Sequence, residues 1–181
     1  MMMKMISSDF DNKIEDEKLY LNARTDAISY IGIGVKPSLK VSGWLSRKGY
    51  PDFIIDKLII ELQTEGYIDD IKIAQRIIRT RTGKKNESKR AMIMRLNNSG
   101  IPLSIAEKCL DEHFSDPDKT RSDINELLDL KFGLKMVTIH EWNQEEKLKF
   151  RQKCFRFLTS RGYDVQDAID AINLLMKDDN C

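Results

Sequence analysis

Leu45-Ser46-Arg47-Lys48-Gly49-Tyr50, Leu96-Asn97-Asn98-Ser99-Gly100-Ile101 and Leu158-Thr159-Ser160-Arg161-Gly162-Tyr163 are one pattern written three times: leucine, three polar or small residues, glycine, then Tyr or Ile. Counted from each glycine, small or apolar residues return at offsets six, nine and ten: Ile55, Leu58 and Ile59, then Ala106, Cys109 and Leu110, then Ala168, Ala171 and Ile172. Eight residues before each glycine stands another apolar side chain, Val41, Met92 or Cys154, one helical turn ahead of the leucine. A glycine between two apolar stripes of helical period predicts helix, left-handed cap, helix, because glycine enters the left-handed region without a Cβ penalty. Tandem units of this kind bury a core only by stacking on neighbours, and their arrays offer extended interaction surfaces.

Working outward from the three turns, a helix is expected from about Ile14 to Tyr30, ended by Gly32, Gly34 and Pro37. Ser38 is placed to cap the next helix, to Lys48; Pro51 suits a helix start, and Ile54 to Thr64 then run until Gly66 stops them. Tyr67 after Gly66, like Tyr50 and Tyr163 after their glycines, is expected to pack back on the preceding helix. Asp69 and Asp70 lead into a helix from Ile71 to Thr82, where either carboxylate can accept its free amides. Gly83 to Asn86 reads as a loop, Glu87 or Ser88 opens the second repeat, Pro102 its second helix, and Ser115 or Asp116 a helix to about Lys131. A break from Gly133 to His140 precedes helices at Trp142 to Ser160 and Asp164 to Met176.

The expected fold is therefore all-α, with three tandem three-helix repeats (14–82, 83–133 and 134–177) forming an elongated, curved helical array. A disordered or loosely ordered N-terminus, 1–13, precedes them and a short tail, 178–181, follows. With 41% apolar and 33% charged residues the composition is that of a water-soluble helical protein and excludes collagen-like, mucin-like and disulfide-scaffold chains. Cys109, Cys154 and Cys181 are odd in number and two sit on the apolar stripes, which suits reduced core thiols. The N-terminus turns acidic before any apolar run long enough for a signal peptide, and no later stretch approaches a membrane span. A cytoplasmic, membrane-free protein is expected.

Net charge is only +1, but it is distributed in blocks. From Ile71 to Arg95 nine Lys or Arg face the single acid Glu87, a local +8; Ile101 to Leu130 carries −5, Lys131 to Tyr163 +5, and the last eighteen residues −4. A near-neutral chain can thus present a basic face. Lys72, Arg76 and Arg79 are spaced to share one side of a helix, with Ile71, Ala74 and Ile78 on another. Arg81, Lys84, Lys85, Lys89 and Arg90 extend the positive stretch, and Lys147, Lys149, Arg151, Lys153, Arg156 and Arg161 form a second one. A solvated helix face would also account for one such block; few interleaved acids, a glycine-anchored loop and the second block favour phosphates or an acidic partner.

The run LSRKGYPDFIIDKLIIELQTEGYIDDIKIAQRIIRTR, then RLNNSGIPLSIAEKCL and RFLTSRGYDVQDAIDAI, resembles the RecX family of bacterial regulatory proteins. The most specific part is Gly66-Tyr67-Ile68-Asp69-Asp70, followed by Ile73-Ala74 and by Arg79 and Arg81. The resemblance covers about Ser38 to Met176 and all three turns. It implies a protein that is not an enzyme and that binds the RecA recombinase filament on DNA and restrains its strand exchange and ATPase; a monomer without a cofactor, meeting single- or double-stranded DNA through its basic faces, is expected. Lys72, Arg76, Arg79, Arg81, Lys84, Lys85, Lys89, Arg90, Arg151, Lys153, Arg156 and Arg161 are the candidate contacts, and Gly49, Gly66, Tyr67, Asp69, Asp70, Gly100 and Gly162 the scaffold motif. Gly43, Lys40 (where the family more often has an acid) and the acidic extension before Leu19 depart from the pattern.

Catalysis and metals find little support. Asp69 and Asp70 are adjacent at a helix start and do not converge on an ion, His113 and His140 lack partners at ligand spacing, and Gly83-Lys84-Lys85 lacks the earlier glycine and the Ser or Thr of a phosphate loop. Base stacking on Trp44, Trp142 or the tyrosines is a lesser possibility. The alternative function is a free-standing DNA-binding protein of helix-turn-helix-like units. Against it, the helices after Gly100 and Gly162 offer mainly Ser104, Glu107, Lys108, Asp111, Asp164, Gln166, Asp167 and Asp170, an acid-rich set that repels phosphate.

Overall fold

The computed structural model describes residues 2–116 and 118–177, and the side chains of these except 2–13, 140 and 177. Among them the regular structure is all helical: α1 Met2–Ile31, α2 Ser38–Arg47, α3 Asp52–Thr64, α4 Asp70–Arg79, α5 Lys89–Asn98, α6 Leu103–His113, α7 Lys119–Met136, α8 Gln144–Thr159 and α9 Val165–Lys177, with 3-10 turns at Gly83–Lys85 and Ile139–Glu141. The three leucine-glycine turns join α2 to α3, α5 to α6 and α8 to α9.

The turns are built as the motif requires. Gly49 N–H donates to the Ser46 carbonyl (2.9 Å) and Tyr50 N–H to the Leu45 carbonyl (3.3 Å), and the third turn repeats this with Gly162 to Thr159 (3.0 Å) and Tyr163 to Leu158 (3.3 Å). These are the two reciprocal bonds of a glycine-ended helix, so the leucine and the aromatic are conformational partners as well as apolar ones. Gly49, Gly100 and Gly162 have φ of +87°, +97° and +81°.

Two compact units arise, Met1–Ile73 with Ser99–Pro102, and Ala74–Asn98 with Leu103–Cys181. Compactness and repetition thus divide the chain differently. The second turn joins the first unit because Leu39 N–H donates to the Gly100 carbonyl (3.3 Å) and the Lys40 stem lies against Gly100. The core of the first unit packs Ala23, Ala27 and Ile31 of α1, one small stripe, against Val41, Leu45, Ile55, Leu58, Leu62 and Ile68. In the second unit Ile124, Leu127, Leu128 and Phe132 of α7 meet Phe150, Cys154 and Leu158 of α8 and Ala168, Ala171 and Ile172 of α9. Phe132 stands edge-on to Phe150 and Phe157, with centroids 5.4 Å apart in each pair. Cys109 and Cys154 are buried free thiols, and burial pushes Cys154 up to about 11. Cys181 and the tail 178–181 lie outside the described residues.

Four local expectations are corrected. The first helix starts at Met2 and not near Ile14, as a run with no Gly or Pro before Gly32 permits. Helix α7 continues through Gly133 to Met136, because Gly133 stays out of the left-handed region and Leu128 and Phe132 keep one face in the core. Tyr67 is exposed, and Ile68 takes the core place after Gly66. Finally, Ser38 does not cap α2 with its own side chain: Pro37 holds the cap position, and the free Ser38 N–H donates to Asp70 Oδ1 at 2.9 Å.

The Asp69-Asp70 pair therefore caps two helices. Asp69 Oδ1 accepts from Lys72 N–H (2.9 Å) at the start of α4, which holds its carboxyl below the usual range, while buried Asp70 caps α2 from 32 residues away. Asp70→Ala is expected to destabilise the fold by about 1–3 kcal/mol, against about 1 kcal/mol for Asp69→Ala, because only the first strands a buried amide. Paired urea melts check the order, and equal losses would deny Asp70 this role.

A candidate basic interaction surface

From α4 the chain runs through the 3-10 turn Gly83–Lys85 to the N-terminus of α5, and this stretch carries most of the first basic block. Its one acid organises it. Glu87, 12% exposed at its side chain, accepts from Arg95 Nε (2.8 Å) and Nη2 (2.6 Å) and lies 3.6 Å from Arg81 Nη1. Arg161 reaches in from the third turn: its Nη1 donates to the Asn86 carbonyl (3.0 Å), its guanidinium lies over Phe157, and its own carbonyl accepts from Ser88 N–H (3.1 Å). Ser88 then caps α5 through Ala91 N–H (3.2 Å).

The Arg95 hydrogen bonds, opposed by burial and aided by the charges of Arg95, Arg81 and Arg161, hold the Glu87 carboxyl below its ordinary value of 4.5. A depressed carboxylate stabilises the fold above its unfolded pKa, and the gain disappears as pH falls through the folded one. The Glu87→Gln variant is accordingly expected to lose about 1–3 kcal/mol at pH 7 and to differ less from the wild type as pH drops below about 4.5. A wild-type minus variant difference that stays constant between neutral pH and pH 3 would rule this out.

The structure sorts the twelve candidate cations. Arg81 and Arg161 are committed to the Glu87 node, Lys72 pairs with Asp69 (2.9 Å), Lys89 with Asp111 (2.5 Å), Arg151 bonds Asn173 (2.5 Å), and Lys153 lies over the Phe132 ring. The Lys72 and Lys89 pairs are exposed, where such contacts are worth little and are easily exchanged for a partner's. Arg76, Arg79, Lys84, Lys85, Arg90 and Arg156 are exposed and form no ion pair among the described residues. The turn Gly83–Lys85 packs on α7, with Gly83 facing Leu130, so Lys84 and Lys85 stand on a fixed support.

Sequence reasoning missed a second feature, a groove of about 350 Å³ between α8 and α9, lined by Leu148, Arg151, Gln152, Phe155, Arg156, Ile169 and Ile172. The sequence does carry its signal: seven residues after the turn glycine, the first two repeats have Asp56 and Glu107 and the third has Ile169. Tyr30 and Trp44 offer no open base-stacking face, since they stack on each other at 4.5 Å and Lys36 and Lys48 lie over their rings, whereas Tyr67 is exposed. Trp142 stands edge-on to Phe150. Among the described residues no three His, Cys, Asp or Glu side chains gather as metal ligands, and no helix is long and apolar enough to cross a membrane.

Fold and surface together define an all-helical protein of repeated glycine-capped turns with an exposed run of cations. No family model matches the chain. It is 29% identical over 150 residues to the regulatory protein RecX of Prosthecochloris aestuarii, covering 83% of this chain and 91% of that protein, and 27% identical over 168 residues to that of Clostridium tetani, covering 92% and 73%. The crystal structure of RecX from Lactobacillus salivarius shares the fold, with a TM-score of 0.63 at 18% identity over 88% of this chain and 97% of that one. A second RecX crystal structure gives 0.61 at 16% identity, over 88% and 74%. In sequence and in fold the chain is similar to RecX regulatory proteins.

Proposed function

We propose that this chain binds the RecA recombinase filament on DNA and restrains its strand exchange and ATP hydrolysis, acting as a monomer and without a cofactor. The observation that carries this reading is the run of unpaired cations Arg76, Arg79, Lys84 and Lys85, with Arg90, in a protein whose relatives are regulatory. Unpaired cations on a supported loop bring little desolvation or ordering cost to phosphate contact. Bridging DNA and filament protein would hold the bound strand in place and oppose the rearrangement that exchange requires. The exposed faces of α6 and α9, with Glu107, Asp111, Asp167 and Asp170, repel phosphate and disfavour groove reading by each turn's second helix.

Co-sedimentation with RecA filaments on single-stranded DNA, with the same DNA alone as control, tests the reading. Retention by the filament at concentrations where naked DNA retains little is expected; equal retention by both would favour a free-standing DNA-binding protein.

A further inference from the structure

The basic residues of the third repeat sit differently from those of the first block. Arg151 and Arg156 edge the groove between α8 and α9, whose floor is Leu148, Phe155, Ile169 and Ile172 and whose lining holds no carboxylate. Leu148 is 56% and Ile169 37% exposed, so both present apolar surface to solvent on a rim of arginine. The nearby acids of α9, Asp167 and Asp170, line the opposite side of that helix with Arg121 and Ile124 of α7. The scaffold does not require an apolar floor here, because the equivalent of Ile169 is exposed Asp56 after the first turn and exposed Glu107 after the second. Phosphate contact gains nothing from leucine and isoleucine, whereas an amphipathic helix uses both its apolar stripe and its flanking charge.

We infer that the α8–α9 groove is a protein-docking site that takes an amphipathic helix with carboxylates beside its apolar stripe, carried by the protein component of the filament. Leu148 and Phe155 are seven residues apart on α8, about 10 Å, the span of anchors two turns apart on a docked helix. Carboxylates flanking those anchors meet Arg156, and Arg151 once it leaves Asn173. The inference rests on the functional reading above and divides its labour: the cations from Arg76 to Arg90 meet DNA, and this groove meets protein.

Ile169→Glu restores the carboxylate that the first two repeats already tolerate at this place, and Leu148→Glu charges the other exposed wall. Both are measured for binding to a fluorescent single-stranded oligonucleotide and for co-sedimentation with RecA filaments. Filament affinity should fall by about tenfold or more in each, as expected for a charge placed in an apolar anchor site, with oligonucleotide affinity and the circular dichroism melt unchanged. Filament affinity that stays at the wild-type value in both variants overturns the groove assignment alone. Parallel loss of oligonucleotide binding, or concentration-dependent self-association of the wild type that the variants abolish, assigns the groove to DNA or to a second copy and overturns it too. A wild-type chain that gains nothing from the filament over DNA overturns the functional reading, and this inference with it.

Discussion

Changing Arg79, Lys84 and Lys85 together to glutamate is expected to abolish inhibition of the recombinase while leaving the fold intact. All three side chains are exposed and form no ion pair among the described residues, so their loss removes no internal contact, and surface changes of this kind usually fall within about 0.5 kcal/mol of neutral. Binding should suffer far more. Each phosphate contact contributes roughly 0.7–0.9 to the log–log salt slope, so six contacts give about −4 to −5, and three reversals should flatten that slope by about 2 to 3 and weaken binding by about a hundredfold or more near physiological salt. Titration of filament binding at several salt concentrations, beside a thermal melt, reads both quantities. A variant that inhibits fully, with an unchanged slope, would remove this loop from the interaction.

Gly162→Ala is expected to be the most damaging single scaffold change, and Gly49→Ala a mild one, although both glycines occupy the same place in the repeat. Both have a left-handed backbone, φ +81° and +87°, which costs an alanine about 1–2 kcal/mol. At Gly49 a Cβ meets nothing within 4 Å, whereas at Gly162 it would stand 2.8 Å from Ser88 Oγ and 2.9 Å from the Ala91 Cβ. Those atoms belong to the cap and first turn of α5, which the Arg161 carbonyl also fixes, so they cannot move aside without breaking the cap. Overpacking adds about 1–3 kcal/mol, which brings Gly162→Ala to roughly 2–5 kcal/mol and a fall in Tm of roughly 5–15 °C. Gly100→Ala should lie between, since its Cβ would meet the Lys40 side chain, Cγ at 2.7 Å, and a lysine stem can shift. Equal melts for Gly49→Ala and Gly162→Ala would mean that the third turn does not pack on α5 as described.

The same comparison shows what a sequence can reveal. Bonds between residues three and five apart, such as Gly49 N–H to the Ser46 carbonyl and Tyr50 N–H to the Leu45 carbonyl, leave a fixed spacing of leucine, glycine and aromatic that is legible by eye. Long-range contacts leave none. Asp70 on the Ser38 amide, Arg161 on the Asn86 carbonyl and Gly162 on Ala91 join residues 32 to 75 apart, and the lone acid Glu87 gives no local hint that it anchors arginines. Nine residues before the turn glycine, Lys40 in one repeat and Ala91 in the next receive the following repeat's glycine, a rule that emerges only when the two contacts are set side by side. For the surface, the charge blocks located the basic stretch, but they could not separate the cations spent on structure from those left over, because that depends on where Asp111, Asn173 and Phe132 fold to.

The central claim is that this chain restrains a recombinase filament through a supported run of free cations. It is tested most directly by the rate of RecA-mediated DNA strand exchange as the chain is titrated in, with the Arg79, Lys84 and Lys85 charge-reversal variant alongside. The expected result is exchange that falls steeply with the wild type and continues at the uninhibited rate with the variant. Exchange unaffected by the wild-type chain, or suppressed equally by the two, would contradict it.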